Sequence, residues 1–285
     1  MSRGLSKLAV TATVGNLSVK RQRPKESTAF ESSSFIGASK PVSLNTPIDD
    51  VVCWGLALET SNSQGGAACL FQNDQVVGAI DLGCERRSAQ ALIPEMKRLL
   101  RHHRIESKEV AWLGLSLGPG SFTGLRVGIT LAKVFSYTTG AALVGCSTVE
   151  AVASQAHDGL PLEDSVARDM VVILDAQRRQ FFVQRCRIVE GRVEMMGETK
   201  VADGEEVVRS MTTTTVLTGA GLPKLFKKWP ELEERALKSE KWSPSAESVG
   251  RIGYQRWLAG QAIDPMELKP IYIRASAAEE ANERQ

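Results

Sequence analysis

The order of the apolar runs constrains this chain more than any other feature. Residues 51–58, 67–71 and 76–82 each have the length and composition of a strand. Polar turns separate them, Glu59-Thr60-Ser61-Asn62-Ser63 and Asn73-Asp74, which predicts an antiparallel meander. A helix follows from about 88 to 103, with Ala89, Leu92, Ile93, Met96, Leu99 and Leu100 on one stripe at three-and-four spacing. Pro94 inside that stripe removes a backbone donor and should kink the helix or delay its regular start. Next come a strand over 110–117, a helix through about 137, a strand over 142–146 and a helix over 148–157. That order predicts an α/β fold with a mixed sheet and flanking helices.

A second block repeats the plan in smaller form. After a polar linker around Pro161, residues 170–175 read as a strand, and 181–188 pairs with 193–196 around Glu190-Gly191. A short strand over 214–218 runs into Gly219-Ala220-Gly221. A later helix opens at Ser243-Pro244 and ends before Gly260. Three leading strands are also the order of ribonuclease-H-like and actin-like (ASKHA) lobes. The expected organisation is a leader at 1–50, a first actin-like lobe at 51–157 and a second, smaller lobe at 158–285. Its C-terminal segment is free to pack back on the first lobe.

Composition separates the leader from the body. Residues 1–50 hold nine Ser, four Thr and no Trp or Tyr, with the first acid at Glu26. Such a segment cannot bury enough apolar surface to offset the entropy of ordering it, and reads as a disordered leader. An acid-poor, Arg- and Ser-bearing start is also how an organellar transit peptide reads, but the disordered leader, as a misassigned start would give, is the favoured reading. The leader carries a charge surplus of +3, which leaves −1 for residues 51–285. The folded part therefore presents no dedicated nucleic-acid surface. No run of about 18 apolar residues occurs, so no membrane span is expected.

Cys53, Cys69, Cys84, Cys146 and Cys186 are odd in number, widely spaced and mostly within apolar runs, as buried thiols in a reducing compartment are. Without C-x-x-C or H-E-x-x-H the chain has no zinc pattern. His102, His103 and His157 are read as structural or solvated, with the adjacent pair on different sides of its helix.

The glycine-rich turn between the 110–117 strand and its helix is where phosphate loops sit. The sequence Gly118-Pro119-Gly120-Ser121-Phe122-Thr123-Gly124-Leu125-Arg126 fits neither pattern, however. A P-loop needs G-K-[ST], and the dinucleotide fingerprint needs G-x-G-x-x-G. Gly124, Gly128 and Ala132 instead form a small-residue stripe that lets another backbone approach closely. Phe122, Leu125, Ile129, Val134 and Phe135 lie around the remaining sides, so more than one face asks for burial. Completing the chain's own core and docking a partner are both open on pattern alone.

At this point the residues resemble a family. Residues 118–128, with Ala132-Lys133 and Ser147-Thr148-Val149-Glu150-Ala151, resemble the signature of TsaB (YeaZ), the dimerization subunit of the tRNA threonylcarbamoyladenosine complex. Leu58-Glu59-Thr60-Ser61, Leu92-Ile93-Pro94, Leu174-Asp175-Ala176-Gln177-Arg178 and Pro270-Ile271-Tyr272-Ile273-Arg274 add weaker matches. The resemblance implies a two-lobed fold of the sugar kinase, Hsp70 and actin superfamily, with no chemistry of its own, no cofactor and no metal. The metal-motif stretch of the catalytic relative TsaD should align with Arg87-Ser88-Ala89-Gln90-Ala91, which lacks histidine.

It further implies a cytoplasmic scaffold that binds and activates a TsaD-type transferase acting on adenosine 37 of tRNAs reading codons that begin with A. A TsaE-type ATPase and tRNA would join through the complex, and the isolated chain would form a homodimer. The partner interface carried over comprises Ala89, Leu92, Ile93, Met96, Leu99, Leu100, Phe122, Leu125, Gly128, Ile129 and Ala132. The chain departs from the family at Glu59-Thr60, where an Asp-Thr pair is usual. The competing reading is an ATP-dependent phosphotransferase or ATPase using Glu59 or Asp175, with Gly118–Gly124 and Gly219–Gly221 around phosphate, and Arg126 and Arg178 as its only clear cations. A peptidase reading lacks ligands, nucleophile and base.

Overall fold

A computed structural model describes residues 52–62, 65–83, 89–157, 168–189 and 192–273; side chains of residues 89 and 90 are outside that description. The leader, Cys84, most of the 158–169 linker, the Glu190-Gly191 turn and Arg274 therefore lie outside the described residues, as does part of the Arg87–Ala91 stretch.

Strands β1 (Trp54–Glu59), β2 (Ala67–Gln72), β3 (Gln75–Asp81), β4 (Val110–Ser116) and β5 (Ala142–Cys146) form one sheet in the order β3-β2-β1-β4-β5. β1 pairs antiparallel with β2 and parallel with β4; β4 pairs parallel with β5. Helices α1 (Ala89–His102) and α2 (Phe122–Thr139) cover one face of it. Leu56, Leu58, Leu70, Leu113 and Leu115 alternate towards that face, where Leu92, Met96, Leu99, Leu100, Ile129 and Ala132 meet them. The opposite residues, Ala57, Cys69, Phe71, Trp112 and Val144, pack on α6 (Ala246–Leu258). With both faces covered, β1 reads as a continuous apolar run rather than an alternating one.

The second sheet, β8-β7-β6-β9, is built from β6 (Arg168–Asp175), β7 (Gln180–Val189), β8 (Arg192–Asp203) and β9 (Val216–Thr218). Its pairing repeats the first: β6 is antiparallel to β7 and parallel to β9. Helix α3 (Thr148–His157) packs on one face through Val149, Val152, Ala153 and Ala156. Short helices α4 (Gly204–Arg209) and α5 (Leu222–Phe226) cover the other. The two lobes thus exchange helices. α3 follows a strand of the first sheet and packs on the second, while α6 comes late in the chain and packs on the first. The two touch, and the Arg256 guanidinium ties α6 to Glu150 of α3 at 2.7 Å and to the Gly145 carbonyl. The architecture is a two-lobed α/β fold, each lobe a mixed sheet with flanking helices.

Some local expectations need correcting. Pro94 lies within an unbroken α1, not at a delayed start. The late helix is capped by Ser245, whose hydroxyl accepts from Ser248 N, two residues beyond the expected Ser243. β8 continues to Asp203 through a bulge at Val183/Arg185. Gln184, buried at 2% exposure, fills that bulge by donating to the carbonyls of Arg185, Met196 and Gly197. Gly197, at φ 70°, interrupts the apolar alternation and reads in sequence as a strand end.

Candidate functional site

α1 and α2 have an inner and an outer side. The inner side takes most of the residues assigned above to a partner interface. Leu92 is 1% exposed, Leu125 1% and Ala132 0%; Met96, Leu99, Leu100, Gly128 and Ile129 are buried as well. These side chains fill the chain's own core. A 3.6-residue stripe marks the buried face of a helix without saying what buries it. Ile93 alone of the α1 set with described side chains faces out, at 42% exposure, and Phe122 is half-buried. The outer side also carries Val134 and Tyr137, at 56% and 91% exposure.

The small-residue stripe on α2 likewise meets its own chain. A Cβ at Gly124 would collide with the Thr60 carbonyl oxygen, and one at Gly128 with the Thr60 hydroxyl. The turn after β1 therefore lies directly on α2, as only glycine permits. Ser121 N donates to Ser61 O at 2.7 Å, and Ser121 Oγ caps the helix by accepting from Gly124 N at 3.2 Å. Two donors of the glycine loop thus have protein acceptors. The residues of the signature loop, Gly118 to Arg126, are brought together at the start of α2.

Beside this loop is a cleft of about 500 Å³, lined among others by Ser61, Gly120, Phe122, Asp175, Ala220 and Tyr272. The loops after β1, β4, β6 and β9 all reach it; of the two carboxylates singled out in sequence Asp175 lines it, whereas Glu59 is buried outside its lining. Their states differ. Glu59 is 2% exposed, and its Oε1 accepts from Ser61 N and Ser61 Oγ, each at 2.5 Å, and from Asn62 N at 3.2 Å. The buried Ser116 hydroxyl lies beside its carboxyl group. Burial pushes the Glu59 carboxyl above its ordinary pKa against the opposing pull of Ser61, Ser116 and Asn62. Asp175 accepts from Gln177 N at 2.8 Å and pairs with Lys224 at 2.6 Å. Gly221 N is bonded to Ile173 O.

The C-terminal segment closes one wall. Ile263 N donates to Leu143 O and Ile271 N to Leu117 O, after which Ile273 reaches the core of the second sheet. Tyr272 stacks on Phe122 with centroids 4.9 Å apart. Arg126 lies 3.7 Å over the Phe122 ring and donates to the Tyr272 hydroxyl at 3.0 Å. In sequence Tyr272 is legible only as a weak family match, and nothing near Arg126 points to it. Their 146-residue separation is the reason.

Cys53, Cys69, Cys146 and Cys186 are free thiols. Burial raises all four, Cys53 to about 11 and Cys69 and Cys186 to about 12, which leaves them weakly reactive. His102 and His103 do not diverge: their rings meet edge to face at 5.1 Å. Among the described residues no group of three or more His, Cys, Asp or Glu could hold a metal ion, and no helix is long and apolar enough to cross a membrane.

A family model described as TsaD, tRNA N6-adenosine threonylcarbamoyltransferase, matches residues 78–219. The tRNA threonylcarbamoyladenosine biosynthesis protein TsaB of Escherichia coli is 25% identical over 231 residues, covering 78% of this chain and 95% of that protein. TsaB of Bacillus subtilis is 27% identical over 143 residues, covering 50% of this chain and 58% of that protein. The solved structure of YeaZ from Pseudomonas aeruginosa is 20% identical, with a TM-score of 0.64 over 77% of this chain and 99% of that one. Along most of its length the chain is similar to TsaB/YeaZ proteins. Within this chain the glycine signature has a structural task, which is to seat the turn after β1 on α2. The outward residues of α2, Val134 and Tyr137, had a weaker sequence signal: apolar positions off the main stripe of a helix whose core face is already complete.

Proposed function

We propose that this chain is a non-catalytic scaffold subunit in the synthesis of threonylcarbamoyladenosine at position 37 of tRNA. It docks through the outer side of α1 and α2 onto a TsaD-type transferase and activates it. The observation that carries the reading is the surplus apolar surface on that side, Ile93, Val134 and Tyr137, on a layer whose inner face is already filled. The names of the relatives supply the pathway. The cleft supports the same reading, because Glu59 is buried in holding its own turn and Asp175 is paired with Lys224. Both arrangements favour a subunit without chemistry of its own. A TsaE-type ATPase and the tRNA enter through the assembled complex in the cytoplasm, and the same outer face serves a homodimer when the partner is absent.

Val134→Asp tests this. The side chain is exposed, so the fold should survive, checked by an unchanged melting temperature. Copurification with the TsaD-type subunit of the same organism should be lost, together with modification activity of the reconstituted mixture. Copurification at the wild-type level would refute the docking face.

A further inference from the structure

Charge is concentrated on the docking layer. Residues 51–285 carry 28 Lys/Arg and 29 Asp/Glu, close to balance. Within that segment α1 has Lys97, Arg98 and Arg101 against the single acid Glu95, and α2 has Arg126 and Lys133 with no acid. Two helices thus hold a net charge of +4 in a segment whose net charge is −1. Glu95 is paired with Arg98 at 2.8 Å, and Arg126 is held by Phe122 and Tyr272. In the turn beyond α1, Glu106 is paired with Lys108 at 2.8 Å, and Glu109 accepts from Glu106 N. Among the described residues Lys97 and Arg101 have no carboxylate partner, and both are exposed.

Arg101 has a local role at the last turn of α1, where a cation complements the negative end of the helix dipole. Lys97, a turn earlier, has much less of that benefit. Both lie on the helix that exposes Ile93 and Pro94. Exposed aliphatic surface interleaved with cations selects between two kinds of partner. An RNA backbone would satisfy the cations and leave Ile93, Pro94 and Val134 wet. A protein surface with an apolar centre and carboxylates around it satisfies both.

We propose that the occupant of the α1–α2 face is a protein whose docking surface is acidic around an apolar centre, its carboxylates meeting Lys97 and Arg101. This deepens the scaffold reading above and rests on it. Such rim charges act mainly on the association rate and make it depend on salt, while the apolar centre sets the lifetime of the complex.

The experiment uses the full chain as wild type, as the double variant Lys97→Glu/Arg101→Glu and as Val134→Asp, each checked for an unchanged melting temperature. Association with the TsaD-type protein is followed at low and high salt, about 0.05 M and about 0.5 M. Wild-type association should slow about tenfold between the two. The double variant should associate about tenfold more slowly at low salt and show little further salt dependence. If Val134→Asp abolishes binding while the double variant matches wild type at both salts, the face stands and the acidic partner is refuted. If Val134→Asp binds like wild type, the face itself is refuted. If the double variant keeps the protein partner but loses affinity for tRNA, the cations serve RNA and the proposal fails.

Discussion

β1 and β6 each pair antiparallel with the next strand and parallel with a later one, and each ends in a carboxylate that accepts the N–H two residues on: Glu59 from Ser61, Asp175 from Gln177. The parallel partners, β4 and β9, then lead to Gly118 at φ 116° and Gly219 at φ 119°. Beyond these shared steps the halves diverge. Gly118 leads into α2, 18 residues long, whereas Gly219 leads into α5, five residues long. Glu59 is sealed beneath its turn, while the Asp175 side chain is 49% exposed and paired with Lys224. The difference teaches where each half keeps its surplus. In the first half the turn is fixed on α2 through Thr60, so α2 is held firmly and its far side remains for another molecule. In the second half the helix is too short to have a far side, and the turn stays open to the cleft.

Substitutions can break or sharpen that contrast. Leu92→Ala on the inner side should cost about 2–5 kcal/mol in chemical denaturation, because it leaves a cavity in a filled core. Its neighbour Ile93→Ala should stay within about 0.5 kcal/mol of wild type and weaken partner capture instead. Equal losses for the two would erase the distinction between inner and outer sides. Gly128→Val should cost about 1–3 kcal/mol by pushing α2 off Thr60; a neutral result would mean that the turn is not seated as described. Tyr272→Ala should cost about 1 kcal/mol through the lost Phe122 stack and the Arg126 bond, seen as a small shift in the denaturation midpoint.

The two carboxylates give the gentlest comparison. Asp175→Asn removes a partly exposed ion pair and should cost less than about 1 kcal/mol. For Glu59 the folded-state pKa is raised, so the folded chain keeps a proton that the unfolded chain loses as the pH rises above 4.5. Stability therefore declines with rising pH over that window, up to the raised folded-state value. Glu59→Gln keeps the Oε1 acceptor and places a donor beside Ser116, so melting curves across pH should show a flatter decline than wild type. An unchanged slope would mean that Glu59 is ionised in the folded state.

Much of the strand order was legible, because runs such as 67–71 and 110–117 are bounded by turn residues that act locally. The capping of α2 by Ser121 and its end at Gly140 are local in the same sense. Less of the site was legible. The α1 stripe was visible as apolar, yet apolarity is the same signal whether a helix faces its own sheet or another protein. The late cap was misplaced by two residues because Ser243 and Ser245 both suit a helix start. α4 and α5 are too short to show a helical period.

By itself, then, the sequence determined the alternation of strands and helices, the glycine signature and the resemblance to TsaB/YeaZ proteins. Each of these depends on residues a few positions apart. Only the tertiary structure decided that α3 and α6 exchange sheets, that Gly124 and Gly128 receive Thr60, and that Arg126 clasps Tyr272. Those outcomes join residues tens to more than a hundred positions apart, and they follow from which surfaces remain to be covered once the local elements have formed.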